Sequence, residues 1–273
     1  LFHELSSQLE VYGTLHRSKK DYGNIPIFNT EKIIENIDIL EFGVLKGVFA
    51  AIKPDVILNC VGVTKRKIKK ENFFDVMRVN SLFPHQLADW AKEHNKRVIH
   101  ISTDCVFDGK VGNYTENSLT TANDIYGRTK ALSEINYKHT LTIRSSFIGR
   151  ELLDKTELLE WFLSQKGKQI KGFTNTLYSG VSTIFMSKVI ENIILNFPTL
   201  SGLYQLAPDK PISKYDLLSI ANNAFNADVD IIPDEKHVHL PTLDASKLKK
   251  KINMNVPSWN EMMLELADKS KKL

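Results

Sequence analysis

The sequence predicts an α/β protein in which helices cover both faces of a parallel sheet. Short apolar runs that are typical of strands alternate along the chain with longer segments whose apolar residues have helical spacing. The strand-like runs are nearly continuous in Val, Ile and Leu, as expected for strands that are buried on both faces. The 273 residues, 42% of them apolar and 25% charged, suffice for one α/β domain of ordinary size and a smaller appended lobe.

The alternation is clearest in the first half of the chain. Residues 1–9 have helical spacing and residues 11–15 alternate toward a strand, so the chain is expected to begin inside a βα unit. The next elements are predicted as helix 44–52, strand 55–61, helix 73–94 with an interruption at Pro84, strand 97–102, helix 124–137 and strand 141–144.

After Gly149, predicted strands and helices no longer alternate regularly. Helices are predicted at 152–165, 186–196, 214–225 and 259–268, strands at 202–206 and 229–232, and a Gly-, Ser- and Thr-rich run covers 172–183. We therefore expect a Rossmann-like, doubly wound dinucleotide-binding domain over residues 1–150. Residues 151–273 are expected to form mainly a substrate-binding lobe, with some segments returning to the sheet.

Charge and cysteine content narrow the functional class. The net charge is only +4, and the basic runs at 65–70 and 249–251 are typical either of solvated faces or of a local site for an anionic small molecule, so no nucleic-acid partner is expected. Cys60 and Cys105 follow strand-like runs, where a free thiol behaves as a small apolar side chain. No run approaches the roughly 20 apolar residues of a membrane span, and no secretory signal pattern is present, so neither a membrane nor export is expected and the predicted compartment is the cytoplasm.

Three residues form a candidate catalytic group. Thr103 follows a predicted strand, and Tyr126 and Lys130 are spaced i, i+4 on a predicted helix, so both side chains project from one helix face. A tyrosine has an unperturbed pKa of about 10, and we expect the Lys130 ammonium to lower it. Such a tyrosine protonates a carbonyl that a nicotinamide reduces, while the Thr103 hydroxyl holds or polarises the carbonyl. Asp104 either caps a turn or contacts substrate, and the sequence leaves these alternatives open.

The cofactor prediction depends on the end of the 11–15 strand. His16 and Arg17 stand there without a carboxylate, and an Arg at this point of a dinucleotide fold accommodates a 2′-phosphate, which predicts NADPH, with NADH kept as an alternative. No G-x-G-x-x-G motif occurs in the 273 residues. Since residues 1–9 are similar to the helix that follows such a loop, we expect the given sequence to start after the first strand and its glycines.

Several motifs together resemble the dTDP-4-dehydrorhamnose reductase family of extended short-chain dehydrogenases/reductases. They span nearly the whole chain and comprise 59–62 (NCVG), 102–109 (STDCVFDG), 114–116 (YTE), 126–130 (YGRTK), 144–146 (RSS) and 202–204 (GLY). The segments 159–163, 178–180 and 212–218 are similar to a branch of the family that acts on bacterial nucleotide sugars, including UDP-linked amino sugars. Family members often have a Trp where this chain has Phe147, so the sugar is not identified.

The resemblance implies a set of site residues. Thr103, Tyr126 and Lys130 would be catalytic. Cofactor contacts would come from Arg17, Asp38, Cys60, Val61, Gly62, Val63, Asn80, Tyr126 and Lys130, and substrate contacts from Asp104, Val106, Arg144, Ser179 and Thr183. No metal site is expected, and a homodimer is compatible with the family.

The implied function is NADPH-dependent reduction of the 4-keto group of a nucleotide-linked 4-keto-6-deoxy sugar, for cell-surface polysaccharide precursors. Two alternatives share the fold family. One is a non-catalytic nucleotide-binding subunit, similar to the regulatory subunit of methionine adenosyltransferase. The other is a nucleotide-sugar epimerase or dehydratase, which would keep its cofactor through the catalytic cycle.

Overall fold

The computed structural model describes residues 1–23, 25–153 and 155–271. The strands are β1 (Gly13–Thr14), β2 (Ile33–Ile34), β3 (Val56–Asn59), β4 (Arg97–Ser102), β5 (Thr140–Arg144), β6 (Phe147–Ile148), β7 (Gln169–Phe173), β8 (Leu177–Tyr178), β9 (Val181–Ser182), β10 (Gly202–Gln205), β11 (Ile212–Ser213) and β12 (Asp230–Asp234). The α-helices are α1 (Phe2–Leu5), α2 (Phe42–Ile52), α3 (Phe73–Met77), α4 (Phe83–Glu93), α5 (Ile125–Leu132), α6 (Leu158–Leu163), α7 (Thr183–Asn196), α8 (Lys214–Phe225), α9 (Ser246–Ile252) and α10 (Trp259–Ser270).

The central sheet has four parallel strands in the order β10-β5-β4-β3. β10 comes from the second half of the chain, so that half contributes a strand to the sheet. β1 and β2 form a separate parallel pair. The predicted α/β class with a parallel sheet is confirmed.

Helices cover both faces of the sheet. Val98 belongs to a core with α2 and α4, where Phe49 and Trp90 have ring centroids 4.4 Å apart. Its neighbours Ile99 and Ile101 belong to a larger core with α7, α8 and α10. Since successive strand residues point to opposite faces, β4 is buried from both sides. His100 consequently shares the face of Val98.

Some predicted elements are wrong in extent. Predicted helix 152–165 is observed only as α6, with residue 154 outside the described residues, and predicted helix 124–137 ends with α5 at Leu132. The run 172–183 contains the end of β7 and the short strands β8 and β9. Pro84 does not interrupt its helix, because it lies in the first turn of α4, where no backbone N–H is needed. The irregular stretch is a π-helical one, Arg78–Leu82, between α3 and α4.

No helix in the described part of the chain has the length and apolar character needed to cross a membrane.

Candidate active site

A tight turn at the carboxyl end of β4 holds Thr103 and Asp104. The Thr103 hydroxyl accepts a hydrogen bond from the Cys105 N–H (3.1 Å) and donates one to Asp104 Oδ1 (3.1 Å). Both side chains are buried. The preceding Ser102 donates to Glu134 Oε1 (2.8 Å) instead. Thr103 and Asp104 therefore form the polar floor of the site at this strand end.

Helix α5 is fixed against this turn by Asp124 and Gly127. Asp124 caps the helix by accepting the Gly127 N–H at 3.0 Å. A Cβ added at Gly127 would lie 2.2 Å from the Cys105 carbonyl oxygen, so only glycine permits this approach. The close approach places Tyr126 near Thr103, close enough for the Thr103 hydroxyl to act on the phenol.

The prediction that Lys130 lowers the pKa of Tyr126 is wrong for this structure. Burial raises that pKa above its ordinary value, and the nearby Cys105 and Asp104 add to the rise, while the Thr103 hydroxyl only partly opposes it. Lys130 is not one of the largest influences on Tyr126, and its Nζ donates to the Ile101 carbonyl oxygen of the sheet. The phenol therefore stays protonated at neutral pH, as a proton donor requires.

Lys130 lies in a buried polar cluster between α5 and β4. Its Nζ donates to the Ile101 carbonyl oxygen at 2.8 Å and lies 3.3 Å from His100 Nε2. Burial lowers the pKa of the Lys130 amine to about 8, although Glu134 and Cys60 counteract the shift.

The turn after β3 is held by Asn80, which lies in the π-helical stretch. Asn80 Oδ1 accepts the Val63 N–H (2.7 Å) and its Nδ2 donates to the Val63 carbonyl (3.0 Å). π-Helical insertions occur frequently at functional sites. Cys60, Val61 and Gly62 are exposed in this turn. Asn80 itself is fully buried, so any part it has in cofactor binding runs through the turn that it fixes.

The predicted adenosine end of the cofactor site contains a carboxylate that the sequence did not reveal. Arg17 is exposed after β1 and makes no hydrogen bond or ion pair with other described residues, and Asp38 accepts the Leu40 N–H (2.9 Å). Glu35, which follows β2, accepts bonds from the Ser18 hydroxyl (3.1 Å) and the Lys19 N–H (2.6 Å). These bonds hold the pKa of Glu35 below its usual value. The two hydrogen-bond donors beside Arg17, the Ser18 hydroxyl and the Lys19 N–H, therefore already bind the carboxylate of Glu35.

The residues present fit a dinucleotide at this sheet edge. Among the described residues, the carbonyl oxygen of Ile101 is the one hydrogen-bond acceptor of the buried Lys130 ammonium, which therefore retains N–H groups for a ribose hydroxyl. The 60–63 turn presents exposed backbone, and Arg17 is a cation without an ion-pair partner in the described part of the chain.

The predicted substrate contacts lie in different environments. Val106 is fully buried among apolar side chains, and Arg144 forms a buried two-bond ion pair with Glu134, both bonds being 2.6 Å. Ser179 is buried and accepts the Leu243 N–H (3.1 Å), whereas Thr183 is partly exposed at the start of α7. Substrate contact by these four residues and by Asp104 stays a prediction.

Three polar side chains near Asp104 were not predicted. Lys214, His239 and Tyr178 all interact electrostatically with its carboxylate. Burial lowers the pKa of Lys214, and its ammonium has no hydrogen-bond partner among the described residues. Since Lys214 is the first residue of α8, where the helix dipole disfavours cations, its position was a sequence signal for an anion nearby. His239 follows no recognisable motif.

The described ranges contain no group of three or more His, Cys, Asp or Glu side chains placed to hold a metal ion. Cys60 and Cys105 are free thiols.

Comparisons with known proteins give matches over most of the chain. The family model described as the RmlD substrate binding domain matches residues 5–271. Among curated relatives, a dTDP-4-dehydrorhamnose reductase of Aggregatibacter actinomycetemcomitans is 28% identical over 209 residues, which are 72% of this chain and 66% of that protein. The methionine adenosyltransferase 2 subunit beta of Xenopus tropicalis is 24% identical, covering 79% of this chain and 70% of that protein.

Among solved structures, the dTDP-4-dehydrorhamnose reductase of Bacillus anthracis in complex with NADP superimposes with a TM-score of 0.75 at 17% identity. The match covers 96% of this chain and 100% of the other. At this identity the superposition supports the fold, including its Rossmann-like character. The matches to the two curated relatives span about two thirds of those proteins.

Proposed function

The chain belongs to the RmlD substrate binding domain family, and on this basis we propose that it is an NADPH-dependent reductase of a nucleotide-linked 4-keto-6-deoxy sugar. The observation that carries the proposal is the contact between Thr103 at the end of β4 and Tyr126 at the start of α5, one helical turn before Lys130. This is the arrangement of hydroxyl, phenol and amine that carbonyl reduction needs.

Tyr126 supplies the proton in this mechanism. A bound reduced nicotinamide supplies hydride to the carbonyl carbon. The oxygen of the carbonyl then becomes basic, and the Tyr126 hydroxyl donates its proton there. Burial keeps the phenol in its protonated form, which is the form that donates a proton to the substrate oxygen.

Thr103 orients the carbonyl. Its hydroxyl donates to Asp104 Oδ1 in this structure, and the same proton would turn to the carbonyl oxygen when substrate binds. Burial of Thr103 and Asp104 excludes water from the floor of the site and strengthens the hydrogen bonds made there.

Cofactor binding is assigned to the residues along the sheet edge. The 60–63 turn, which Asn80 fixes, would support the dinucleotide backbone. Lys130 would hold the nicotinamide ribose, and Asp38 would contact the adenine side of the cofactor. Arg17 pairs with the 2′-phosphate, which makes NADPH the preferred donor.

The nucleotide part of the substrate is assigned to the unpaired cation near Asp104. Lys214 is half-buried without an anionic hydrogen-bond partner, and a diphosphate supplies that charge. His239 lies beside it and offers a further ring nitrogen.

The test is NADPH oxidation by the full-length protein with dTDP- and UDP-linked 4-keto-6-deoxy sugars, followed at the nicotinamide absorbance. Stoichiometric consumption supports a reductase and excludes an epimerase or dehydratase that retains its cofactor. The similarity to the methionine adenosyltransferase subunit makes a non-catalytic binding role the second candidate. Tight NADPH binding with no consumption for either sugar would favour that role. The predicted homodimer is tested separately by light scattering.

A further inference from the structure

A chain of hydrogen bonds surrounds the Lys130 amine on its sheet side. Asn59 on β3 and His100 on β4 are register neighbours, and Asn59 Nδ2 lies 3.1 Å from His100 Nδ1. His100 Nε2 lies 2.9 Å from the Ser133 hydroxyl and 3.3 Å from Lys130 Nζ. His100 and Ser133 are fully buried, and the other two residues are nearly so. Water therefore does not compete for these contacts.

The partners of this chain fix the tautomer of His100. Asn59 Oδ1 accepts the Val61 N–H (3.0 Å), so the amide nitrogen of Asn59 must face the ring and donate to Nδ1. Nδ1 is then an acceptor, and in the neutral ring the proton lies on Nε2. Burial and the nearby Lys130 and His85 lower the pKa of His100 well below its ordinary value, which keeps the ring neutral.

The Nε2–H of His100 points toward Ser133 and Lys130. The Ser133 hydroxyl donates its own proton to the Lys130 carbonyl oxygen (2.6 Å), so it receives the bond from Nε2–H. Lys130 Nζ therefore faces the hydrogen of an N–H dipole rather than a lone pair. An ammonium at that point is opposed by the dipole, and a neutral amine accepts from it.

We propose that His100 is a positioning residue that acts through Lys130, presenting its Nε2–H to Nζ and thereby favouring release of a proton from that nitrogen into the site. This inference rests on the proposed function, because proton release there matters when Tyr126 has given its proton to substrate. In that step an Nζ–H bond of Lys130 breaks and the O–H bond of Tyr126 is formed again, which restores the phenol. The neutral amine left behind then takes a proton from a solvent acid such as hydronium.

Other charged groups face Lys130 from each neighbouring element. Glu134 just after α5 and Cys60 after β3 both favour the ammonium, and His85 on α4 acts on the His100 ring. Glu134 is already bonded to Arg144 and Ser102. His100 is the neighbour whose hydrogen-bond direction favours the amine.

The test is the pKa of Lys130, measured by NMR in full-length protein that carries ¹³C-labelled lysine, with the Lys130 signal identified by its loss in Lys130→Met. In the wild type we expect a pKa of about 8. His100→Gln presents an amide oxygen to the ammonium and should raise this pKa by at least about one pH unit, toward the roughly 10.4 of free lysine. Ser133→Ala leaves Nε2–H with Lys130 as its sole partner and should lower the pKa below the wild-type value.

A third variant controls for the loss of a buried polar group. Thr142 is the register neighbour of His100 on β5, and its hydroxyl donates to the Ile135 carbonyl (2.7 Å) outside the Lys130 cluster. Thr142→Val should leave the pKa of Lys130 unchanged. Equal pKa values in the wild type and in Ser133→Ala would overturn the proposal, even where His100→Gln fails to fold.

The pH profile of turnover gives a second readout. The pH at which kcat falls on the alkaline side should be higher in His100→Gln and lower in Ser133→Ala than in the wild type. These changes should match the changes in the pKa of Lys130. The NMR shifts are independent of turnover. If they occur in a protein that reduces no keto sugar, the role of His100 stands and the proposed function fails.

Discussion

Gly127 lies where α5 meets the turn after β4, and Gly127→Ala should slow the reaction without unfolding the protein. The added Cβ would lie 2.2 Å from the Cys105 carbonyl oxygen and 2.5 Å from Ala122 Cβ. Ordinary contact needs about 3.4 Å, so α5 must move away by about 1 Å. A displacement of this size in catalytic groups costs about 10²-fold in rate. We expect kcat to fall by about that factor because Tyr126 moves away from Thr103.

The stability of the same variant follows from two opposing contributions. Overpacking lowers the free energy of unfolding by about 1–3 kcal/mol. Replacing a glycine within a helix by alanine raises it by about 1 kcal/mol. The net loss of unfolding free energy should therefore be at most about 2 kcal/mol, measured by urea denaturation.

Gly47→Ala is the matched control for this prediction. Gly47 lies within α2, and a Cβ there would meet no atom within 4 Å. This variant should gain up to about 1 kcal/mol of stability and keep its kcat. A wild-type kcat in Gly127→Ala would refute the claim that the close approach of α5 positions the phenol.

Three further predictions concern charged groups. Glu35→Gln should tighten NADPH binding about fivefold, because a negative charge is removed from the donors beside Arg17. Calorimetry should show no change in NADH binding, and an equal gain for both cofactors would contradict the explanation. The pKa of Lys130 is about 8 in the folded protein and about 10.5 in the unfolded chain. Between these two pH values the unfolded state binds one more proton than the folded state. The free energy of unfolding should therefore rise with pH across this window, by about 3 kcal/mol. The free energy of unfolding of Lys130→Met, measured by urea denaturation, should not rise with pH in this window. If the wild type and Lys130→Met show the same pH dependence, Lys130 is not its source. Arg144→Met leaves Glu134 buried without its partner and should cost about 3–5 kcal/mol, seen as a lower thermal midpoint; an unchanged midpoint would mean that the pair contributes nothing.

Strong local signals explain the parts of the fold that the sequence predicts well. β4 has the predicted bounds because Val98, Ile99 and Ile101 mark it as a buried strand, and α8 also has its predicted bounds, with Ser213 as its N-cap. β7 was missed because most of its side chains are exposed or only partly buried, and because it is stabilised by pairing with β12, a long-range contact. α9 was missed because most of its residues are lysines, and its two buried residues, Leu248 and Ile252, are too few to give a clear helical pattern.

Local sequence spacing also predicts one part of the candidate site, whereas the other part depends on contacts that only the fold makes. The i, i+4 spacing placed Tyr126 and Lys130 on one helix, but it could not show that the amine turns toward Ile101 and His100. That direction depends on burial against β4. Glu35 was missed for a related reason, since its contact with Lys19 joins the segments that follow β1 and β2, which only the fold brings together.

Tyr126→Phe tests the central claim most directly. The phenol is the proposed proton donor, and general acid catalysis contributes about 10²–10⁴-fold. Turnover with NADPH and a 4-keto-6-deoxy nucleotide sugar should fall by that factor, while the unfolding free energy and the Kd for NADPH stay close to the wild type. Tyr137→Phe, which removes an exposed hydroxyl bonded to His85, should keep full activity. Equal kcat values for Tyr126→Phe and the wild type would contradict the assignment of this phenol as the proton donor.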